Sequence, residues 1–232
     1  MDSQIGNPLS KAKRHRNWLA TNPWLQHNLV RNPFGELTRD EKIEAVVLDE
    51  IWLESCTRWL GQKRALIELV GRKGRGKTTR LLALSQRLQG AHYVYISEDR
   101  HVPGLPEAHP LIIDEAQRLP RNLLKRILRS ETALVLSTHW PLLSEVHRPS
   151  RMVRRQRIGS SNNESLIAKA ISKRIELARY RPGQIPCVSQ SEVKRLHKRY
   201  GTNMRMIEEA LYQEWQQRIG ESLGSHHGGF QR

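Results

Sequence analysis

Two short stretches of this chain carry the residue types that handle phosphate. The first, GRKGRGKT at residues 71–78, places Gly71 ahead of a Gly76-Lys77-Thr78 triplet, with a strand-like run before it and a helical pattern after it. Glycines let backbone N–H groups converge on phosphate oxygens, and the following helix adds the positive end of its dipole. Lys77 is placed to neutralise the outer phosphates, and the Thr78 hydroxyl to hold Mg²⁺. Arg72, Lys73 and Arg75 make the loop more cationic, while Gly74 and Thr79 complete the cradle. The second stretch, LIIDE at 111–115, is an apolar run that delivers Asp114 and Glu115 together at its end. Open α/β sheets put their chemistry at that end of a strand. Asp114 suits a role orienting Mg²⁺ through water, and Glu115 a role polarising an attacking water.

Strands and helices must alternate to position these groups. The pattern predicts strands over 65–71, 91–98, 110–115, 132–139 and 152–159, with helices after the cradle and over LPRNLLKRILRSE. That order implies a mostly parallel sheet covered on both faces. Ahead of it, a helical stripe runs from Thr38 to Trp59, with Thr38 and Glu41 as a capping box. After Gly159 two amphipathic patterns, 163–180 and 189–219, read as a small helical domain. The expected organisation is a basic N-terminal arm (1–35), a nucleotide-binding domain (36–159), a helical lid (160–219) and a disordered tail (220–232). In the arm, Trp18 and Trp24 are expected to dock on the main domain, since large rings seek burial; stacking on nucleic-acid bases is the alternative.

Composition narrows the partners. Lys and Arg number 39 against 23 Asp and Glu, a net charge of +16. Such an excess favours polyanions, DNA foremost, through long-range attraction and counterion release. No run is apolar enough for membrane insertion, and the basic N-terminus lacks an apolar core for a secretory signal. Cys56 and Cys187 have no ligand-like spacing, so a reducing cytoplasm is the expected setting.

By the order and spacing of the cradle and the Asp114-Glu115 strand end, residues 36 to 215 resemble the AAA+ ATPases. Short motifs, IDEAQRL and NPFGELT, are most similar to a bacterial group. It holds the general-secretion ATPase A family and the ATPase subunits of transposition systems, and the lid resembles that of origin-recognition initiators. The resemblance implies a P-loop NTPase sheet with a helical lid, ATP and Mg²⁺ as ligands, hydrolysis of ATP, and assembly into an oligomer or onto a protein partner. It also implies a polar sensor of the γ-phosphate at the end of the fourth strand, for which Thr138 is favoured over Ser137 and His139. Arg205, at the start of the last lid helix, would touch the same phosphate. A trans-acting arginine would be Arg148 or Arg151. The link between Glu98 and Pro110 is too short for both a helix and a threading loop, which favours a switch over a threading motor. The expectation is an ATPase switch acting on or near DNA; the alternative is a nucleotide-gated adaptor between proteins.

Overall fold

The computed structural model describes residues 22–47, 49–99, 104–142, 151–159 and 163–224, with side chains as far as 219. A five-stranded sheet forms from β1 (Ala65–Val70), β2 (His92–Tyr95), β3 (Leu111–Asp114), β4 (Leu134–Thr138) and β5 (Met152–Arg157). Its order is β2-β3-β4-β1-β5, and every pairing is parallel. Parallel strands need crossovers, and these supply the helices that cover the sheet.

The strand pleat divides the core into two layers. On one face Leu66, Leu111, Ile113, Leu134 and Leu136 meet Leu124, Ile127 and Leu128 of α4 (Arg121–Arg129). On the other, Ile67, Leu69, Ile112 and Val135 meet α2 (Glu50–Leu60) through Leu53, Cys56 and Leu60, and α3 (Lys77–Arg87) through Leu81 and Leu84. The free thiol of Cys56 is buried here, and burial pushes its pKa up to about 11; Cys187 is free and exposed.

Two predicted helices are broken in the structure. The stripe from Thr38 to Trp59 divides into α1 (Arg39–Glu44) and α2. Thr38 and Glu41 do form the capping box, but Asp49 caps a second start by accepting from Ile51 N at 2.9 Å. A side-chain cap of this kind outcompetes the continuing stripe. The 189–219 pattern likewise divides at Gly201 (φ 57°) into α6 (Gln190–Tyr200) and α7 (Met204–Gly224), after α5 (Glu164–Leu177). The last helix therefore continues past Gly220, into the stretch expected to be a tail.

These three helices bury a third cluster, built on Ile167, Ile171, Val193, Leu196, Ile207 and Leu211. Trp24, Leu29 and Phe34 belong to it. Trp24 thus docks on the helical domain and not on the sheet domain as expected; Trp18 lies outside the described residues. Phe34 meets Trp215 edge-on at 5.2 Å, and Arg174 donates to Pro33 O at 2.9 Å and Gly35 O at 2.6 Å. The segment before α1 is bound into the lid by its own apolar anchors.

Candidate functional site

The cradle connects β1 to α3. Gly74 and Gly76 have φ of 82° and 87°, a region that side chains strain to enter. Gly76 caps α3 without a side-chain hydrogen bond, so no side chain occupies the N–H groups of the first turn. N–H groups at a helix start, with the dipole behind them, are the kind of element that binds anions. Lys77 is almost fully buried, and its ammonium donates to Gly71 O at 2.7 Å and to Arg72 O at 3.3 Å. Burial lowers its pKa, while Glu115 and Asp114 push it back up.

Asp114 is fully buried at the end of β3 and is held from several sides. The Thr78 hydroxyl donates to its Oδ2 at 2.7 Å, and the Tyr93 hydroxyl donates to the same oxygen at 2.9 Å. Ser137 donates to Oδ1, and the Glu115 N–H reaches Oδ1 at 3.1 Å and Ser137 Oγ at 3.0 Å. Burial, above all, raises the pKa of Tyr93, and the neighbouring Asp114 charge adds to it, so Tyr93 remains a donor. No sequence signal marks Tyr93. It reads there as one aromatic of a strand, and only the β2–β3 pairing brings it to the carboxylate.

Glu115 has φ 62°, unusual outside glycine, and is nearly buried. Such a conformation costs on the order of 1–3 kcal/mol and persists where the surroundings enforce it. Gln117 donates to its Oε2 at 2.6 Å, and Arg118 approaches to 3.7 Å. His139 Nε2 lies 3.2 Å from the same oxygen but out of line for a hydrogen bond. At the end of β4, then, Ser137 touches Asp114 and His139 faces Glu115. Thr138, the favoured sensor, has a buried hydroxyl without a hydrogen-bond partner among the described residues.

A cavity of about 380 Å³ joins these groups to the lid, with Lys77, Thr78, Glu115 and His139 on one wall and Arg205 and Glu208 on the other. The lid closes directly on the loop. Met204 N–H donates to Gly74 O at 3.1 Å, and Arg75 donates to the Thr202 hydroxyl. A β-carbon at Gly74 would stand 2.2 Å from Asn203 Oδ1, so only glycine permits this approach. Arg205 is exposed at the cavity rim, as the sequence pattern placed it. A second cavity of about 280 Å³ adjoins the first, sharing Gly76, Thr78 and Thr79 and adding Leu37, Val47, Leu166 and Ala170. Its apolar walls suit a flat ring; Leu37 lies in the NPFGELT motif, while Val47, Leu166 and Ala170 were not marked by any motif.

The donor set fits the expected ligands. Thr78 and Asp114 offer hard oxygens in contact, and Mg²⁺ commonly takes one or two protein oxygens beside substrate phosphates. One expectation needs correcting. Arg151 is spent inside the chain, donating to Ile127 O at 3.0 Å, Leu128 O at 2.7 Å and Thr132 O at 2.8 Å beyond α4. Burial lowers its pKa to about 10, and Arg64 adds to the effect. It is not available as a trans-acting arginine, and Arg148 lies outside the described residues.

No protein-family model matches the chain, and no curated protein matches it in sequence. Solved structures do match in fold. Cdc6p from Pyrobaculum aerophilum aligns with a TM-score of 0.50 at 16% identity, over 76% of this chain and 64% of Cdc6p. A DNA replication initiation factor aligns with a TM-score of 0.53 at 14% identity, over 83% of this chain and 69% of that protein. The chain therefore spans less than two thirds of the length of Cdc6p. The cradle after β1, the carboxylate pair at the end of β3, the 2-3-4-1-5 parallel sheet and the helices after it together give the chain an α/β P-loop NTPase fold.

Proposed function

We propose that the chain is an ATP-binding and ATP-hydrolysing switch that acts on or near DNA. The observation that carries this reading is the 2.7 Å contact between Thr78 and Asp114, beside Lys77 and Glu115 in one cavity. The N–H groups of the loop and α3 hold the phosphates, and Lys77 exchanges its carbonyl partners for phosphate oxygens. The apolar second cavity takes the base. Mg²⁺, when bound, would neutralise charge developing on the phosphates, and Thr78 and Asp114 would hold it. Glu115 orients the attacking water and accepts its proton as the γ-phosphoryl group leaves ADP. Thr138 and His139 stand at the γ-phosphate end of the site, and Arg205 reaches it from the lid. Because the lid already touches Gly74, the phosphate content of the cavity and the seating of the lid are linked.

The DNA part of the proposal rests on the net charge of +16. The fold likeness to a DNA replication initiation factor agrees with it. The test is ATP turnover by the purified chain with and without duplex DNA, at low and at physiological salt. Stimulation by DNA that fades with salt supports the reading. Turnover indifferent to DNA at both salts, together with no duplex binding, would move the function to a nucleotide-gated adaptor for a protein partner.

A further inference from the structure

We propose that the outer face of α4 is the docking surface for the phosphate backbone of duplex DNA. This deepens the DNA reading above and rests on it. The helix buries Leu124, Ile127 and Leu128 and exposes Arg121, Lys125, Arg126 and Arg129. Its sequence, RNLLKRILR, holds no acidic residue. None of these four cations makes a hydrogen bond or ion pair with another described residue. In the lid some arginines are paired. There Arg179 pairs with Glu176 at 2.7 Å, Arg195 with Glu214 at 2.9 Å and Arg218 with Glu192 at 3.3 Å. Other lid cations, such as Lys169, Lys194 and Lys198, have no such pair, and what marks α4 is four exposed cations in nine residues with no carboxylate among them.

The folding of α4 accounts for only part of these charges: Arg126 and Arg129 in the last turn suit the helix dipole, but Arg121 and Lys125 do not gain from it. Arg121 stands at the first helical position, where a cation opposes the dipole. Arg121 with Lys125, and Lys125 with Arg129, are like-charged i,i+4 pairs, which weaken a helix. Cations in a last turn ordinarily serve the terminal carbonyls, but Arg151 already takes Ile127 O, Leu128 O and Thr132 O. The helix thus gains little from Arg121 and Lys125, and all four cations lack a partner among the described residues and can meet an external anion.

The geometry fits a polyphosphate rod. Arg121, Lys125 and Arg129 follow one another about 6 Å apart along the helix axis. Duplex DNA offers one phosphate for about every 1.7 Å of its own axis, so a row of this length meets several. Among the described residues α4 is the helix on its face of the sheet, and its outer side is open. The row is held rigid by the sheet below and by Arg151 at its end. No described residue orients these cations towards a base edge, and the contacts proposed are to phosphates, which carry no sequence information.

The experiment replaces Arg121, Lys125, Arg126 and Arg129 together by Gln, a good helix former that leaves the buried face intact. Binding of a labelled mixed-sequence duplex is measured by fluorescence anisotropy over a salt series, alongside the affinity for a fluorescent ATP analogue. The proposal expects unchanged nucleotide affinity, at least about tenfold weaker duplex binding, and a log–log salt slope shallower by about 0.9 for each phosphate no longer neutralised. Wild-type duplex affinity and slope in the variant would overturn the assignment to α4 while leaving the DNA reading standing. Failure of the wild-type chain to bind duplex at any salt would overturn both. A defect confined to vesicles of phosphatidylserine, with duplex binding intact, would transfer the face to a membrane surface and also overturn the proposal.

Discussion

The two walls of the nucleotide cavity are built differently. On the sheet wall, side chains lock one another: Thr78, Tyr93 and Ser137 converge on Asp114, while Gln117, Arg118 and His139 surround Glu115. The partners stand on the strands, on the turn after β3 and at the start of α3, so the geometry is set within the sheet domain. On the lid wall, the junction with the loop is a backbone bond from Met204 to Gly74 and a side-chain bond from Arg75 to Thr202. Arg205 stands at the cavity rim on a helix whose core is shared with Trp24 and Phe34, not with the sheet. Chemistry that must be exact belongs on the first wall, and a signal that must move belongs on the second.

That contrast predicts how substitutions should behave. Lys77→Ala removes the cation of the sheet wall and should weaken ATP binding by about 100-fold, the upper range for removing a hydrogen bond to a charged group; calorimetry checks it. Arg205→Ala acts from the lid and should lower turnover by about tenfold. Its distinguishing mark is that ATP and ADP should then bind with similar affinity, because the lid no longer senses the last phosphate. Equal losses for both nucleotides would make Arg205 a general anchor and blur the contrast.

Tyr93→Phe takes one donor from Asp114 and leaves Thr78 and Ser137. It should raise the Mg²⁺ concentration needed for nucleotide binding by about fivefold, the scale of one hydrogen bond, with affinity in EDTA unchanged. Glu208→Gln gives the smallest effect. Burial raises the pKa of Glu208 more than Arg174 lowers it, so the folded state favours its neutral form. A raised folded pKa stabilises below the unfolded value, and this contribution is lost as pH rises through the folded one. The neutral Gln should therefore raise the melting temperature at alkaline pH, and the gain should vanish as the pH falls through the carboxylate range.

What the sequence disclosed follows the same division. The cradle and the Asp114-Glu115 pair are local patterns, with spacing imposed by a loop and a strand end, and they are found where they were expected. The parallel sheet was legible because apolar strands alternate with amphipathic helices. Contacts between distant segments were not. Tyr93 reaches Asp114 only through strand pairing, and Arg151 finds its carbonyls in the last turn of α4 and just after it. Trp24 joins the buried cluster of the lid, which includes Ile175, Leu211 and Trp215, a preference no local pattern encodes. The break before α2 was written in Asp49, but a cap inside an apolar stripe is hard to tell from one more polar gap.

The central claim is that Glu115, fixed on the sheet wall, activates the water that cleaves ATP. The most direct test is phosphate release by Glu115→Gln, measured beside its ATP affinity. The account predicts ATP binding close to that of the unaltered chain with turnover reduced by at least about 100-fold, the contribution of a positioned base. Turnover at the unaltered rate would contradict it and would place the water-activating group elsewhere in the cavity.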